Sequence, residues 1–94
     1  MSFKLAGIEN EYTFELRPGT TMVVGRAVNS DCPVVDATVS RRHAELERAG
    51  ETFTIRDLGS LNGTYVNRGR IESAVLEDDD EVQIGKYRLT FLQR

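Results

Sequence analysis

The sequence predicts an all-β domain, a sandwich or a barrel, and three observations carry that reading. Apolar residues alternate with polar ones in short runs, the period of a half-buried strand. Clusters rich in glycine, proline and asparagine break those runs at short intervals. No segment sustains a 3.6-residue period, and the stretch from Glu72 to Leu76 is too short to count as a helix.

Taken in order, Phe3 and Leu5 alternate with polar or small neighbours, and Tyr12, Phe14 and Leu16 alternate with Thr13 and Glu15. Arg17-Pro18-Gly19 ends that run, because proline presets a turn and glycine is free to take positive φ. Met22-Val23-Val24 reads as a short buried strand ending at Gly25, Ala27 to Pro33 as a loop, and Val34-Val35 as a brief strand. Ala44, Leu46 and Arg48 alternate with Glu45 and Glu47, Ala49-Gly50-Glu51 turns the chain, and Phe53, Ile55 and Asp57 run back. Thr64-Tyr65-Val66 precedes a turn at Asn67-Arg68-Gly69, then Ile71 and the Ala74-Val75-Leu76 patch. Val82-Gln83-Ile84 and Tyr87 to Leu92 meet at Gly85-Lys86, a two-residue hairpin with glycine first. That hairpin puts Val82 and Ile84 on one face with Tyr87, Leu89 and Phe91.

Ninety-four residues are one domain, 1–94, with no repeat, linker or low-complexity tract. A chain this short buries roughly 60–65% of the surface its unfolded form exposes, enough for one core. No apolar run approaches the ~20 residues that span a bilayer, and Met1-Ser2-Phe3-Lys4 opens no signal peptide. A cytoplasmic location is the expectation, with no membrane partner. The lone Cys32 has no partner for a disulfide, which agrees with a reducing compartment, and reads as a small loop or semi-buried residue. With one histidine and one cysteine no metal site is expected, and no cofactor.

Net charge is −3, which argues against general nucleic-acid binding. Five of the 15 acids are consecutive, Glu77 to Glu81; without them 10 acids face 12 bases, so the remainder is mildly basic. The acidic run lacks the alternating ligands and glycine of a calcium loop and reads as a solvated turn.

Three polar clusters fall where strands give way to loops: Gly25-Arg26, Ser40-Arg41-Arg42-His43 and Gly59-Ser60-Leu61-Asn62-Gly63-Thr64. Arginine offers a planar fork of donors suited to phosphate oxygens, serine a hydroxyl, and asparagine both a donor and an acceptor for a peptide main chain. The residue types suit an anion carried on an extended peptide. Their order and spacing resemble the forkhead-associated (FHA) domain over essentially the whole chain.

The resemblance implies a β-sandwich of two mainly antiparallel sheets with the binding loops at one end, and phosphothreonine-peptide binding without catalysis. By it, Arg26 and Ser40 contact the phosphate and Gly25 lets the backbone turn. Arg41 either adds a second cation or is solvated, and Arg42 is surface. His43 is architectural, holding the serine loop, and Asn62 bonds the peptide main chain. Asp57 is expected to bond nearby amides, and Asn62-Gly63 also reads as a turn in its own right. Some family members carry a hydroxyl residue just before the asparagine and use it on the phosphate. Leu61 stands there, which leaves a third contact to Arg41, a backbone N–H or Ser60. The family residue two before the loop serine helps choose the third residue after phosphothreonine. Here it is the uncharged Thr38, so no strong demand for an acid is expected there.

Val39 to His43, Gly59 to Asn67 and Asp80 to Leu92 also resemble the small actinobacterial FHA regulators that inhibit 2-oxoglutarate-metabolising enzymes. Those fold a phosphorylatable N-terminal tail onto their own domain. Here Met1 begins almost at the first strand and Thr13 lies within a predicted strand, so that switch is not expected in these residues. The partner implied is a phosphothreonine-containing protein or peptide, a serine/threonine-kinase substrate or the kinase itself. The alternative is a phospho-independent domain that regulates or assembles an enzyme. A hydrolase built on Ser40, His43 and Asp57 is disfavoured, because Ser40 and His43 lie three apart in one loop with no nucleophile elbow.

Overall fold

A computed structural model describes residues 17–93 throughout and residues 3–6 and 11–14 as strand backbone. The strands are β1 (Phe3–Ala6), β2 (Glu11–Phe14), β3 (Thr20–Gly25), β4 (Cys32–Pro33), β5 (Ala44–Ala49) and β6 (Thr52–Asp57). They continue as β7 (Thr64–Val66), β8 (Gly69–Ile71), β9 (Ser73–Leu76), β10 (Glu81–Ile84) and β11 (Tyr87–Gln93). One sheet has the order β2-β1-β11-β10-β7-β8 and the other β4-β3-β5-β6-β9. The alternation expected at Leu16 lies outside the described residues.

Alternation decides which side chains face inward. In β5 and β6 the paired residues Leu46 and Ile55 point into the sandwich, while Glu45 and Arg56 pair on the outer face. From the opposite sheet Val82, Ile84, Leu89 and Phe91 point back at them, with Tyr87 partly buried alongside, as the hairpin pattern predicts. Phe53 and Phe91 meet across the two layers with ring centroids 5.5 Å apart. Burying each such side chain stabilises the fold by roughly 1.5–3 kcal/mol.

Two elements differ from expectation. The brief strand is Cys32–Pro33 rather than Val34-Val35, and it runs parallel to β3. Val34 is apolar because its side chain plugs the core, while its N–H donates to Gly25 O at 2.8 Å; Val35 is exposed. The loop before β4 is closed by Asp31, whose carboxylate accepts the Val23 N–H at 2.9 Å. The turn after β7 is the pair Asn67-Arg68, both with positive φ, and Gly69 already belongs to β8. That is a two-residue hairpin, and it joins the shortest strands of the first sheet.

Cys32 is buried in β4, and burial together with the neighbouring Asp31 carboxylate pushes its thiol up to about 11. Among the described residues no helix is long and apolar enough to cross a membrane. The acidic run forms the turn between β9 and β10: Asp80 accepts the Glu77 N–H at 2.8 Å and a bond from Asn67 Nδ2 at 3.0 Å. This turn lies at the start of β10. The Gly85-Lys86 hairpin at its other end touches Thr38, so the acids sit away from the loops described next.

Candidate functional site

The loop between β4 and β5, residues 34–43, is the hub of one end of the sandwich. Its first part is shaped by Asp36, whose Oδ1 accepts the Thr38 N–H at 2.8 Å and the Thr38 hydroxyl at 2.6 Å. These two bonds, with the Lys86 ammonium 3.1 Å from the other oxygen, hold the Asp36 carboxyl below the usual carboxylate range despite partial burial. The Thr38 hydroxyl oxygen in turn accepts the Lys86 N–H at 3.0 Å, which ties the β10–β11 hairpin to the hub.

Its second part carries the Ser40-to-His43 cluster. Gly25 is required beside it for reasons of space. A Cβ there would lie 2.1 Å from the Arg41 carbonyl oxygen and 2.8 Å from its carbon. The close approach lets the Arg26 N–H donate to Ser40 O at 2.9 Å and the His43 N–H to Val24 O at 3.0 Å. Gly25 does not have positive φ, and what the position requires of it is room for a crossing chain.

His43 is completely buried. Its Nδ1 lies 3.1 Å from the Ser40 N–H and its Nε2 lies 2.8 Å from the Gly63 carbonyl. A ring nitrogen facing an N–H must accept and one facing a carbonyl must donate, so the ring is the neutral Nε2–H tautomer. One imidazole thereby ties the Ser40 loop to the loop between β6 and β7.

Residues 58–63 form that second loop, folded around Asp57. The Asp57 carboxylate accepts the Gly59 and Ser60 N–H groups, each at 3.1 Å, the Thr64 hydroxyl at 2.7 Å and the Ser60 hydroxyl. Burial tends to raise the Asp57 carboxyl, but the Ser60 and Thr64 hydroxyls and the two amides outweigh it, and the group lies below its ordinary range. Gly59 and Gly63 both have positive φ, as the sharp reversal requires.

The Ser60 hydroxyl donates to Asp57 and accepts the Gly63 N–H at 3.0 Å, and the residue is buried. Ser60 is therefore engaged in building the loop, with Asp57, Gly63 and His43. The Leu61 side chain is exposed, and its N–H donates to Ser40 Oγ at 3.1 Å. Asn62 Nδ2 donates to Thr38 O at 2.8 Å. Leu61 and Asn62 thus bridge back to the hub, one bond each.

This arrangement leaves a defined set of groups facing outward. Ser40 Oγ accepts from Leu61, so its proton is available to a ligand acceptor. Arg26, Arg41 and Arg42 are exposed, and among the described residues no carboxylate pairs with them. Asn62 stands exposed beside Ser40 with its side-chain oxygen pointing to no protein donor among the described residues. Cations, one hydroxyl proton and one amide oxygen thus lie on loops that bond one another, and the arrangement can take an anion attached to a chain.

Sequence reasoning missed Asp36 and the part Thr38 plays in joining loops. The Asp36-Ala37-Thr38 spacing of an Asx turn was the available signal.

The profile of the FHA domain matches residues 22–85. The glycogen accumulation regulator GarA of Mycolicibacterium smegmatis is 58% identical over 72 residues, 77% of this chain and 46% of that protein. The oxoglutarate dehydrogenase inhibitor of Corynebacterium jeikeium is 56% identical over 72 residues, 77% of this chain and 50% of that protein. The chain spans about half the length of these curated relatives. Among solved structures, one described as an analysis of phosphothreonine-dependent FHA domain interactions superposes with a TM-score of 0.88 at 29% identity. It covers 100% of this chain and 98% of its own. Mycobacterium tuberculosis EmbR in complex with a low-affinity phosphopeptide superposes with a TM-score of 0.87 at 30% identity, covering 97% of this chain and 24% of its own. With the two-sheet sandwich and the three loop clusters in place, the chain belongs to the FHA-domain family.

Proposed function

We propose that this chain is a non-catalytic phosphothreonine-peptide binding module of serine/threonine-kinase signalling. The observation that carries the reading is the state of Ser40. Its backbone N–H and its hydroxyl oxygen are both engaged by the protein, which leaves its proton for a ligand acceptor beside arginines that no carboxylate among the described residues pairs with. A phosphothreonine brings about −1.5 to −2 charges and three acceptor oxygens, which match those groups. Arg26 and Ser40 contact the phosphate, Arg41 supplies the third contact, and Asn62 holds the peptide main chain. Gly25, His43, Asp57, Ser60 and Gly63 keep the loops in place, and Leu61 contributes its N–H to orienting Ser40. The partner is a phosphorylated kinase substrate or the kinase itself, in the cytoplasm.

The test is a calorimetric titration with phosphorylated and unphosphorylated versions of one threonine peptide. Binding of the phosphorylated form alone is expected, and equal binding of both would overturn the reading. A second reading is phospho-independent docking onto a partner enzyme. It is favoured by the relatives named as an oxoglutarate dehydrogenase inhibitor, and the same titration separates it.

A further inference from the structure

Four strands end the two sheets: β2 and β8 in one, β4 and β9 in the other. A strand with an open side offers N–H and C=O groups to any extended chain, and proteins blunt such strands with charge, proline or glycine. β2 begins with Glu11, β4 is two residues long and contains Pro33, and β8 carries Gly69 and Arg70. β9 has none of these, being Ser73, Ala74, Val75 and Leu76. Its register with β6 fixes which of its groups are free. The Asp57 N–H donates to Glu72 O at 2.9 Å, so these two residues form a hydrogen-bonded pair. Bonded and non-bonded pairs alternate along an antiparallel ladder. Ala74 and Leu76 therefore bond Ile55 and Phe53, whereas Ser73 and Val75, opposite Arg56 and Thr54, turn their N–H and C=O groups away from β6. Among the described residues no strand pairs with β9 on that side. The Val75 side chain is 58% exposed. Glu72 and Glu77 flank the strand, both exposed, and no cation among the described residues pairs with either.

We infer that the open edge of β9 docks an extended, basic segment of a partner protein, which adds a sixth strand to the five-stranded sheet. The N–H and C=O groups of Ser73 and Val75 bond the incoming main chain, which is where strand addition gains its affinity. The Val75 side chain adds an apolar contact, suited to a β-branched or aromatic residue across from it. Charge selects the occupant. Glu72 and Glu77 stand at the two ends of the strand, so a segment with a Lys or Arg near each of its own ends is matched and an acidic one is repelled. The same acids oppose a second copy of this chain. An antiparallel pair of copies would set Glu72 of each beside the run from Glu77 to Asp79 of the other, like charge against like. The inference stands apart from the phosphothreonine reading: the edge shares no residue with the set formed by Arg26, Ser40 and Asn62, and neither reading depends on the other.

The experiment follows the backbone amides of the isotope-labelled domain by NMR during titration with two unphosphorylated synthetic peptides. Both share a short alternating threonine-valine core; one has a lysine at each end and the other a glutamate. The lysine-ended peptide is expected to shift the amides of Ser73 and Val75 and to bind about three- to tenfold tighter than the glutamate-ended one at low salt. Glu72→Lys combined with Glu77→Lys should reverse that order of preference. Val75→Pro removes an N–H that β6 does not use, and should weaken the lysine-ended peptide about tenfold. A lysine-ended peptide N-methylated at every core amide leaves the domain itself unaltered and should shift neither residue. Equal affinity for the two peptides, a preference that survives the double reversal, or shifts confined to the loops of Ser40 and Asn62 would overturn the inference. So would the absence of any shift at the highest soluble peptide concentration, or undiminished binding of the N-methylated peptide. Sedimentation of the domain alone is expected to give a monomer; a dimer that Val75→Pro dissolves would assign the edge to a second copy instead.

Discussion

Replacing His43 by alanine tests whether the two site loops are held by one buried ring. In the parent the ring bonds the Ser40 N–H at 3.1 Å and the Gly63 carbonyl at 2.8 Å, with no solvent exposure. Alanine strands both backbone groups away from their partner, and an unsatisfied buried donor or acceptor costs about 1–3 kcal/mol. Loss of the ring's packing adds a cavity contribution of order 1 kcal/mol. The expected total is about 3–7 kcal/mol, a large share of the 5–15 kcal/mol a domain of this size possesses. At about 4–8 °C per kcal/mol, the melting temperature should fall by at least about 12 °C. Differential scanning calorimetry gives that number, and titration well below the melt gives the affinity, which should drop as well because Ser40 and Asn62 lose their common support. His43→Gln should recover part of the stability, since its amide nitrogen can reach the Gly63 carbonyl while leaving Ser40 unserved. A His43→Ala domain melting within about 5 °C of the parent would refute the reasoning.

The other expectations are more local. Arg26→Ala should weaken phosphopeptide binding roughly ten- to a hundredfold, about 1.5–3 kcal/mol for a charge-assisted contact, with an unchanged melt. Ser40→Ala should weaken binding and also cost about 0.5–1.5 kcal/mol of stability, because Leu61 N–H loses its acceptor. Affinity within twofold of the parent would remove either residue from the site. Gly25→Ala should destabilise by at least about 1–3 kcal/mol, since the added Cβ meets a backbone oxygen that cannot rotate away; an unchanged melt would show that the strands separate freely. Asp57 and Asp36 have carboxyls below their unfolded values, so the stability they contribute is present above about pH 4–5 and is lost as pH falls. Asp57→Asn should be less stable at neutral pH and should flatten that acid limb, and a limb of unchanged steepness would discount the carboxylate.

Much of this site was legible because its clusters are local. Ser40 to His43 and Gly59 to Thr64 each fold within a few residues, and Asp57 bonds Gly59 and Ser60 directly after it. Short strands with alternating faces announced the sandwich in the same way. What escaped depends on partners distant in the chain. Ser60 is the local exception: its hydroxyl can build a loop or bind a ligand, and here it bonds Asp57 and the Gly63 N–H, each three residues away. The crowding that requires glycine at position 25 comes from the Arg41 carbonyl, which is invisible until the strands are paired. Parallel pairing of Cys32–Pro33 with β3 leaves no alternation to detect in two residues, so the pattern points instead to the more apolar Val34-Val35. The Lys86 N–H reaches Thr38 across 48 residues, and nothing near Thr38 in the sequence signals that bond.

The bonds among these loops bear on how the site discriminates. The hub loop is tied to the β6–β7 loop through His43, Ser40 and Thr38, to the β3–β4 loop through Arg26 N–H, and to the β10–β11 hairpin through Thr38. Donors fixed before the ligand arrives need not be ordered on binding, so affinity for phosphate can come from few contacts. On the phosphothreonine reading, those contacts recognise the phosphate and are blind to the rest of the peptide. Arg26, Ser40 and Arg41 would serve any phosphopeptide of similar shape equally well. Selection among partners therefore has to arise beyond Asn62, where the peptide leaves the phosphate. Mutations there should change which peptide is preferred more than how tightly a neutral one is held, whereas mutations at Arg26 should lower all affinities together.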